Sequence, residues 1–427
     1  MQETRAKEAS ESSSESQESS SESQELESRK CENYTEPAST NPPPQRRLVS
    51  LKTEQTIKGP KFTVLTYNIL ADKWNESDRK HKACPAAALE WNNRKHKLVS
   101  EIIAYNADII CLQEVEEEHY KKYFLNQFRN HGYDGHYLAK PSGNPKEGCA
   151  TFFLRERFSC MEEIEVVYGN QEFCNLVGEK LYLTGHDPQS YHPKSHSKPT
   201  QKTLRRFRAN NIALILLLSF DSNLICVANT HVLANKDLPD VKMWQAYCLL
   251  HKLEEISMEK GNDDMPMVIC GDFNSFPRSA AHCLLVGNEI DQNHTHLEAG
   301  TKYRFDVNKL KRRSIELSSA YSAYFEQGVS DCGDENDDVM KRWMNPETKE
   351  PVFTHYASDF QETLDYIFYT HNNLEVEKLL EVVDWDTVSQ TEDKYIPSSG
   401  KEKEIHHSGW DTGDTLDLVD EWKKSYD

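Results

Sequence analysis

Apolar runs in this chain repeatedly end in side chains that do chemistry elsewhere in proteins. "VLTYN" ends at Asn68, "IICLQEV" carries Glu114, "CVANTH" delivers Asn229 and His231, "VICGDFN" delivers Asp272 and Asn274, and "ETLDYI" holds Asp365. Oxygen donors from Asp, Glu and Asn suit a hard cation such as Mg²⁺, which is held by one or two carboxylates together with water and substrate phosphate. Such an ion neutralises a phosphodiester and stabilises the charge that develops in an in-line displacement. An aspartate beside it takes a proton from water when it lies within hydrogen-bond reach. Taken singly, each residue also has a structural explanation, because Asn and Asp cap and turn the chain. Their shared place after strands is what points to a site.

The elements that must position them are legible around the same residues. In "MPMVICGDFNSFP", Met265 to Pro277, a run apolar on both faces hands over across one glycine to polar side chains. That is how a buried strand ends at a ligand. From Lys61 onward, "KFTVLTYNIL" reads as a strand, "ALEWNNRKHKLVSEIIAY" as a helix with Trp91, Leu98, Ile102 and Tyr105 on one face, and "DIICLQEV" as a strand. Further strands are expected at "CATFFL", "NIALILLLSF", "NLICVANTHV", "MVICGDF" and "TLDYIFYT", with a helix at "DVKMWQAYCLLHKLEEI". This order predicts an α/β fold of two sheets packed face to face with helices outside. No internal repeat is visible, and in particular no leucine-rich periodicity.

Residues 1 to about 58, beginning "MQETRAKEASESSSESQESSSES", carry too little apolar surface to offset chain entropy and read as a disordered, acidic Ser/Glu-rich head. The start lacks the basic and apolar regions of a secretory signal and is too acidic for a transit peptide. No run approaches the length of a membrane span, so a soluble protein of the cytoplasm or nucleus is expected. The 11 cysteines show no paired spacing, and Cys111, Cys149, Cys226 and Cys270 sit inside strand patterns, which reads as reduced core thiols. A formal net charge of −20 argues against nonspecific polyanion binding. A nucleic-acid substrate would therefore depend on the divalent ion for its neutralisation. Arg205, Arg206 and Arg208 either line an RNA path or belong to a solvated loop.

The motifs "YNIL", "LQEV", "NTHV", "GDFN" and "TLDYIFYT", in this order, resemble the endonuclease/exonuclease/phosphatase superfamily. Between them, "CPAAALEWNNRKHKLVSEIIAYNADIICLQEV", "GCATFF", "NIALILLL", "DVKMWQ" and "EPVFTHYASDFQETLDYIFYT" resemble the catalytic domain of the carbon catabolite repressor type of poly(A) deadenylase. The resemblance covers about Lys61 to Ser399, taken here as a catalytic domain over 61–399. It implies a DNase I-like, four-layered α/β sandwich with two mixed sheets. It further implies an Mg²⁺-dependent (or Mn²⁺-dependent) 3′-to-5′ exoribonuclease that shortens poly(A) and releases 5′-AMP.

By the same resemblance Glu114 holds the metal, with Asn68 and Asp272 beside it. Asp272 activates water, Asn274 orients the phosphate, His231 donates to the transition state, and Asn229 lies with the substrate-binding set. Phe360 matches the aromatic on which the terminal adenine stacks, with ordinary core packing as its other reading. Lys236 stands where animal members place a proline. Single-stranded RNA and poly(A) are the implied partners; subunits of a deadenylase complex are in doubt without leucine-rich repeats, and neither DNA nor membrane is expected.

One motif departs from the family. There a Ser-Asp-His and a final apolar strand follow text like "YIPSS"; here Ser399 is followed by Gly400 and a charged tail, 400–427, in which His406 and His407 read as solvated. Asp365 orients the family's terminal His and is expected to lack that partner, and the sheet to lack its last strand. Two other functions follow from the same motifs: a catalytically weak isoform that binds RNA or protein, and a nocturnin-like phosphatase of small nucleotides.

Overall fold

In the computed structural model, residues 46–52, 59–74, 89–170, 173, 205–287, 290–297, 305–310, 315–330, 337–356 and 360–384 are described. Chain contacts divide the protein into Met1–Gln45 and Arg46–Asp427, and all the described residues belong to the second unit. The body begins earlier than the polar head suggested. β1 (Leu48–Ser50) pairs antiparallel with β16 (Lys378–Leu380), and residues 1–45 and 53–58 of the head, like the tail after Asp384, lie outside the described residues.

The larger sheet has six strands in the order β10 (Leu317–Ser319), β15 (Asp365–Thr370), β9 (Met267–Asp272), β8 (Asn223–His231), β7 (Ile212–Phe220) and β6 (Phe158–Val167). The smaller has four, in the order β2 (Val64–Asn68), β3 (Ile109–Glu116), β5 (Glu147–Leu154) and β4 (Tyr133–Ala139). Both sheets are mixed, because β2 with β3 and β8 with β9 run parallel and the remaining pairs antiparallel. Two short ladders, β11 (Met344–Asn345) with β12 (Glu350–Pro351) and β13 (His355–Tyr356) with β14 (Gln361–Glu362), lie between β10 and β15 in sequence.

Alternation along the central strands explains the layering. On β7, Leu214, Leu216 and Leu218 face one buried cluster while Ala213, Ile215 and Leu217 face another. The first cluster also contains Ile109, Cys111, Cys149 and Phe153 of the smaller sheet, so it is the seam between sheets. α3 (Pro239–Glu259) and α4 (Ala280–Gly287) cover the outer face of the larger sheet through Trp244, Leu249, Leu250 and Leu284. α1 (Trp91–Ala104) and α2 (Leu125–Asn130) cover the smaller one through Leu98, Ile102 and Phe128. Helix, sheet, sheet, helix is the four-layered α/β sandwich expected from the motifs. The final strand of the family pattern would fall beyond the described residues.

The expected strands and helices form as read, and Cys111, Cys149, Cys226 and Cys270 are buried free thiols. No helix among the described residues is long and apolar enough to cross a membrane.

Candidate active site

Three neighbouring strands of the larger sheet end in one row. The parallel register of β8 and β9 sets His231 against Asp272, and the antiparallel register of β15 and β9 sets Asp365 against Asp272 from the other side. His231 Nε2 lies 4.0 Å from Asp272 Oδ2. The glycine before Asp272 is required by this row. Gly271 has φ 152°, and a Cβ there would meet the Thr230 carbonyl oxygen at 1.9 Å.

From the smaller sheet, Asn68 closes the distance to this row. Its Nδ2 donates to Glu114 Oε1 at 2.9 Å and to Asp272 Oδ2 at 3.0 Å, so one amide joins carboxylates carried by different sheets. Its Oδ1 accepts from the Leu70 N–H at 3.0 Å. Arg94, buried on α1, donates to the carbonyls of Ile69 and Leu70 at 2.5 and 2.9 Å and so holds this turn.

Glu114 reaches the site because β3 breaks its alternation. The register against β5 shifts between Leu112 and Val115, and Glu114 has φ 58°. Leu112 and Val115 both face the helix layer; strict alternation would have sent Glu114 there too. A bulge that re-aims one side chain is a recurrent device beside active sites. Asn274 is likewise held at φ 46°, its N–H donating to Asp272 Oδ1 at 2.8 Å and its Nδ2 to the Val232 carbonyl at 3.0 Å.

Burial dominates the electrostatics of Asp272 and Glu114. Burial, then the charges of Asp365 and Glu114, push the Asp272 carboxyl up to about 8 against the stabilising donors Asn68 and Asn274. Burial and the neighbouring Glu147 also raise Glu114. Among the described residues no group of three or more His, Cys, Asp or Glu is arranged as a metal cage. Two desolvated carboxylates sharing an amide nevertheless fit Mg²⁺, whose shell is completed by water and phosphate. The residues that would hold it are Glu114 and Asp272; Asn68, expected from the sequence to stand with them as a ligand, turns its NH2 group to both carboxylates and its oxygen to the Leu70 N–H, and so orients them.

Asn229 and Asp365 are placed differently from the other candidates. Asn229 is 0% exposed; its Nδ2 donates to the carbonyls of Leu112 and Ala150, and its Oδ1 accepts from Gln113. It ties the two sheets together beneath the site and does not face a substrate. Asp365 is at the rim, where its Oδ2 accepts from the Thr354 hydroxyl at 2.6 Å. Phe360 is 40% exposed, which excludes the core-packing reading. Lys236 is exposed, and of the three arginines Arg206 is engaged at Asp240 while Arg205 and Arg208 are exposed. Ser399, His406 and His407 lie outside the described residues.

Two charged groups next to these residues were not singled out in the sequence. Glu147, 3% exposed, opens β5 and accepts from Lys140 at 2.9 Å. Burial raises its carboxyl, but Lys140, His231 and Lys73 outweigh that and hold it low. The signal was a lone glutamate heading the apolar "GCATFF". Lys242, in "DVKMWQ", donates to the Asn274 carbonyl at 2.6 Å; burial lowers it to about 8 in spite of Asp272 and Asp237. Nothing in the local pattern of α3 separates it from a surface lysine.

A family model described as the endonuclease/exonuclease/phosphatase family matches residues 65–389. The chain belongs to this family. The endonuclease/exonuclease/phosphatase span contains every site residue described above. The chain is 38% identical over 354 residues to carbon catabolite repressor protein 4 homolog 1 of Arabidopsis thaliana, covering 79% of this chain and 55% of the relative. It is 29% identical over 370 residues to the CCR4-Not complex 3′-5′-exoribonuclease subunit Ccr4 of Schizosaccharomyces pombe, covering 80% and 47%. It thus spans about half the length of these curated relatives. Among solved structures of the endonuclease/exonuclease/phosphatase fold, ANGEL2, described as a 2′,3′-cyclic phosphatase, superposes with a TM-score of 0.61 at 22% identity, covering 84% of this chain and 96% of that one. That likeness is one of fold.

Proposed function

We propose that the chain is a divalent-metal-dependent 3′-to-5′ exoribonuclease that shortens poly(A) and releases 5′-AMP. The observation that carries this reading is the single amide of Asn68 holding Glu114 and Asp272 together across two sheets. Mg²⁺, when bound, supplies the positive charge that neutralises the phosphodiester. Asp272, flanked in register by His231 and Asp365, takes the proton from the attacking water. Asn274 has two amide hydrogens; with one given to Val232, the other serves a phosphate oxygen. His231, beside Asp272, donates to a phosphoryl oxygen on which charge develops in the transition state. Phe360 offers an exposed ring to the terminal base. The relative named as a CCR4-Not complex 3′-5′-exoribonuclease subunit supports RNA as the substrate and contact with other subunits of such a complex; work in the cytoplasm or nucleus is part of the same proposal.

The departure after Ser399 favours a second reading, in which the same site binds RNA without turning it over. One assay separates the two: the purified chain on a 5′-labelled RNA ending in twenty adenosines, with Mg²⁺ or EDTA. Glu114→Ala and a version carrying Ser-Asp-His and an apolar strand after Ser399 are run beside it. Stepwise shortening that needs Mg²⁺ and vanishes in Glu114→Ala is expected. Shortening by the extended version alone would overturn the enzyme reading for this chain.

A further inference from the structure

Two phenylalanines on the segments that flank this polar site are exposed. Phe276 is 42% exposed and Phe360 40%. In the antiparallel ladder Asp272 of β9 faces Asp365 of β15, and the Phe273 N–H continues it by donating to the Leu364 carbonyl at 2.8 Å. The chain leaving β9 toward Phe276 and the chain arriving from Phe360 to β15 therefore meet the same end of the ladder. Phe360 was singled out in the sequence; Phe276, in "GDFNSFP", was not.

The loop that carries Phe276 is pinned on both sides of the ring. Lys242 holds the Asn274 carbonyl at 2.6 Å, the Tyr366 hydroxyl donates to the Ser275 carbonyl at 2.8 Å, and the Phe276 carbonyl accepts from the Ser279 N–H at 3.1 Å. Pro277 further restricts the Phe276 backbone. The edge-to-face ring of His296, with centroids 5.9 Å apart, backs the phenyl ring. A ring held this way loses little conformational entropy when something stacks on it. Two residues of extended chain span at most about 7 Å, so Phe276 stays within that reach of Asn274.

We propose that Phe276 is a second base-stacking platform, taking the nucleotide on the 5′ side of the scissile phosphate while Phe360 takes the terminal base. The ligand class is then a single-stranded oligonucleotide of at least two residues, because a mononucleotide fills only one platform. This inference rests on the single-stranded substrate proposed above. Aromatic rings suit that ligand, since every base offers a face to stack and this acidic chain needs contacts that do not come from cations.

The test is equilibrium binding of 5′-AMP and of the dinucleotide pApA to the full chain with Mg²⁺. It is done in an Asp272→Asn background so that turnover does not consume the ligand. The expected preference for pApA is about 5- to 150-fold, the worth of one stacked base. Phe276→Ala should bring that ratio to about one, and Phe276→Trp should keep it. A ratio that survives Phe276→Ala, a ratio near one before any change at Phe276, or a loss of AMP affinity as large as the loss for pApA would overturn the proposal. The ratio is read without catalysis. A chain that shows it yet fails to shorten poly(A) refutes the nuclease reading and leaves Phe276 in place.

Discussion

Asp272 is the residue on which the site turns. His231 and Asp365 flank it in register, Asn68 reaches it from the other sheet, and the Asn274 N–H caps its second oxygen. Such crowding of carboxylates with little water disfavours the ionised form. The consequence for stability has a definite sign. An acid whose folded pKa is raised contributes stability that is present below its unfolded value, near 4, and is lost as pH rises through the folded value. With the folded value at about 8, the metal-free protein should weaken between about pH 4 and pH 8. Asp272→Asn is a neutral mimic that cannot take part. Urea unfolding in EDTA should therefore show wild type losing ground to Asp272→Asn as pH rises through that window. A constant difference between the two would mean that Asp272 ionises normally.

Strands and their irregularities do the positioning, and they differ in how visible they are. The strand carrying "VICGD" was legible because its apolar run and its glycine follow from burial on both faces and from close contact with β8. The bulge at Glu114 was not, because a shifted register between Leu112 and Val115 leaves no mark on composition. β1 was hidden for a different reason: its apolar pair, Leu48 and Val49, sits in a polar run and is stabilised by a partner more than 300 residues away. Gly271 offers an element-level prediction. A methyl group there cannot coexist with the Thr230 carbonyl at 1.9 Å unless β8 and β9 separate, and φ 152° adds backbone strain. Gly271→Ala should cost about 3 kcal/mol or more in urea unfolding, at the upper end of single substitutions. It should also lower activity by displacing Asp272. A loss below about 1 kcal/mol would show that the strands yield cheaply.

At the scale of the molecule, the site exists where the open ends of two sheets face each other, and no single stretch of sequence contains it. Asn68 and Glu114 come from the smaller sheet; His231, Asp272 and Asp365 come from the larger one. Their types were readable from strand ends, whereas their convergence depends on the seam that Gln113 and Asn229 join beneath them. Asn229 was misplaced in the sequence reading for this reason, since a strut and a ligand look alike at a strand end. Metal linkage tests the convergence without reference to catalysis. An ion that binds the native site and not the unfolded chain stabilises by about 2.7 kcal/mol at 100 times its Kd. A chain of net charge −20 also gains from nonspecific screening, so the comparison needs NaCl at matched ionic strength. Titrating Mg²⁺ should raise the Tm of wild type beyond that control, and Glu114→Ala should follow the control alone, because it removes a carboxylate from one sheet while leaving the fold's charge nearly unchanged. Equal shifts in both proteins would mean that the two sheets do not share an ion.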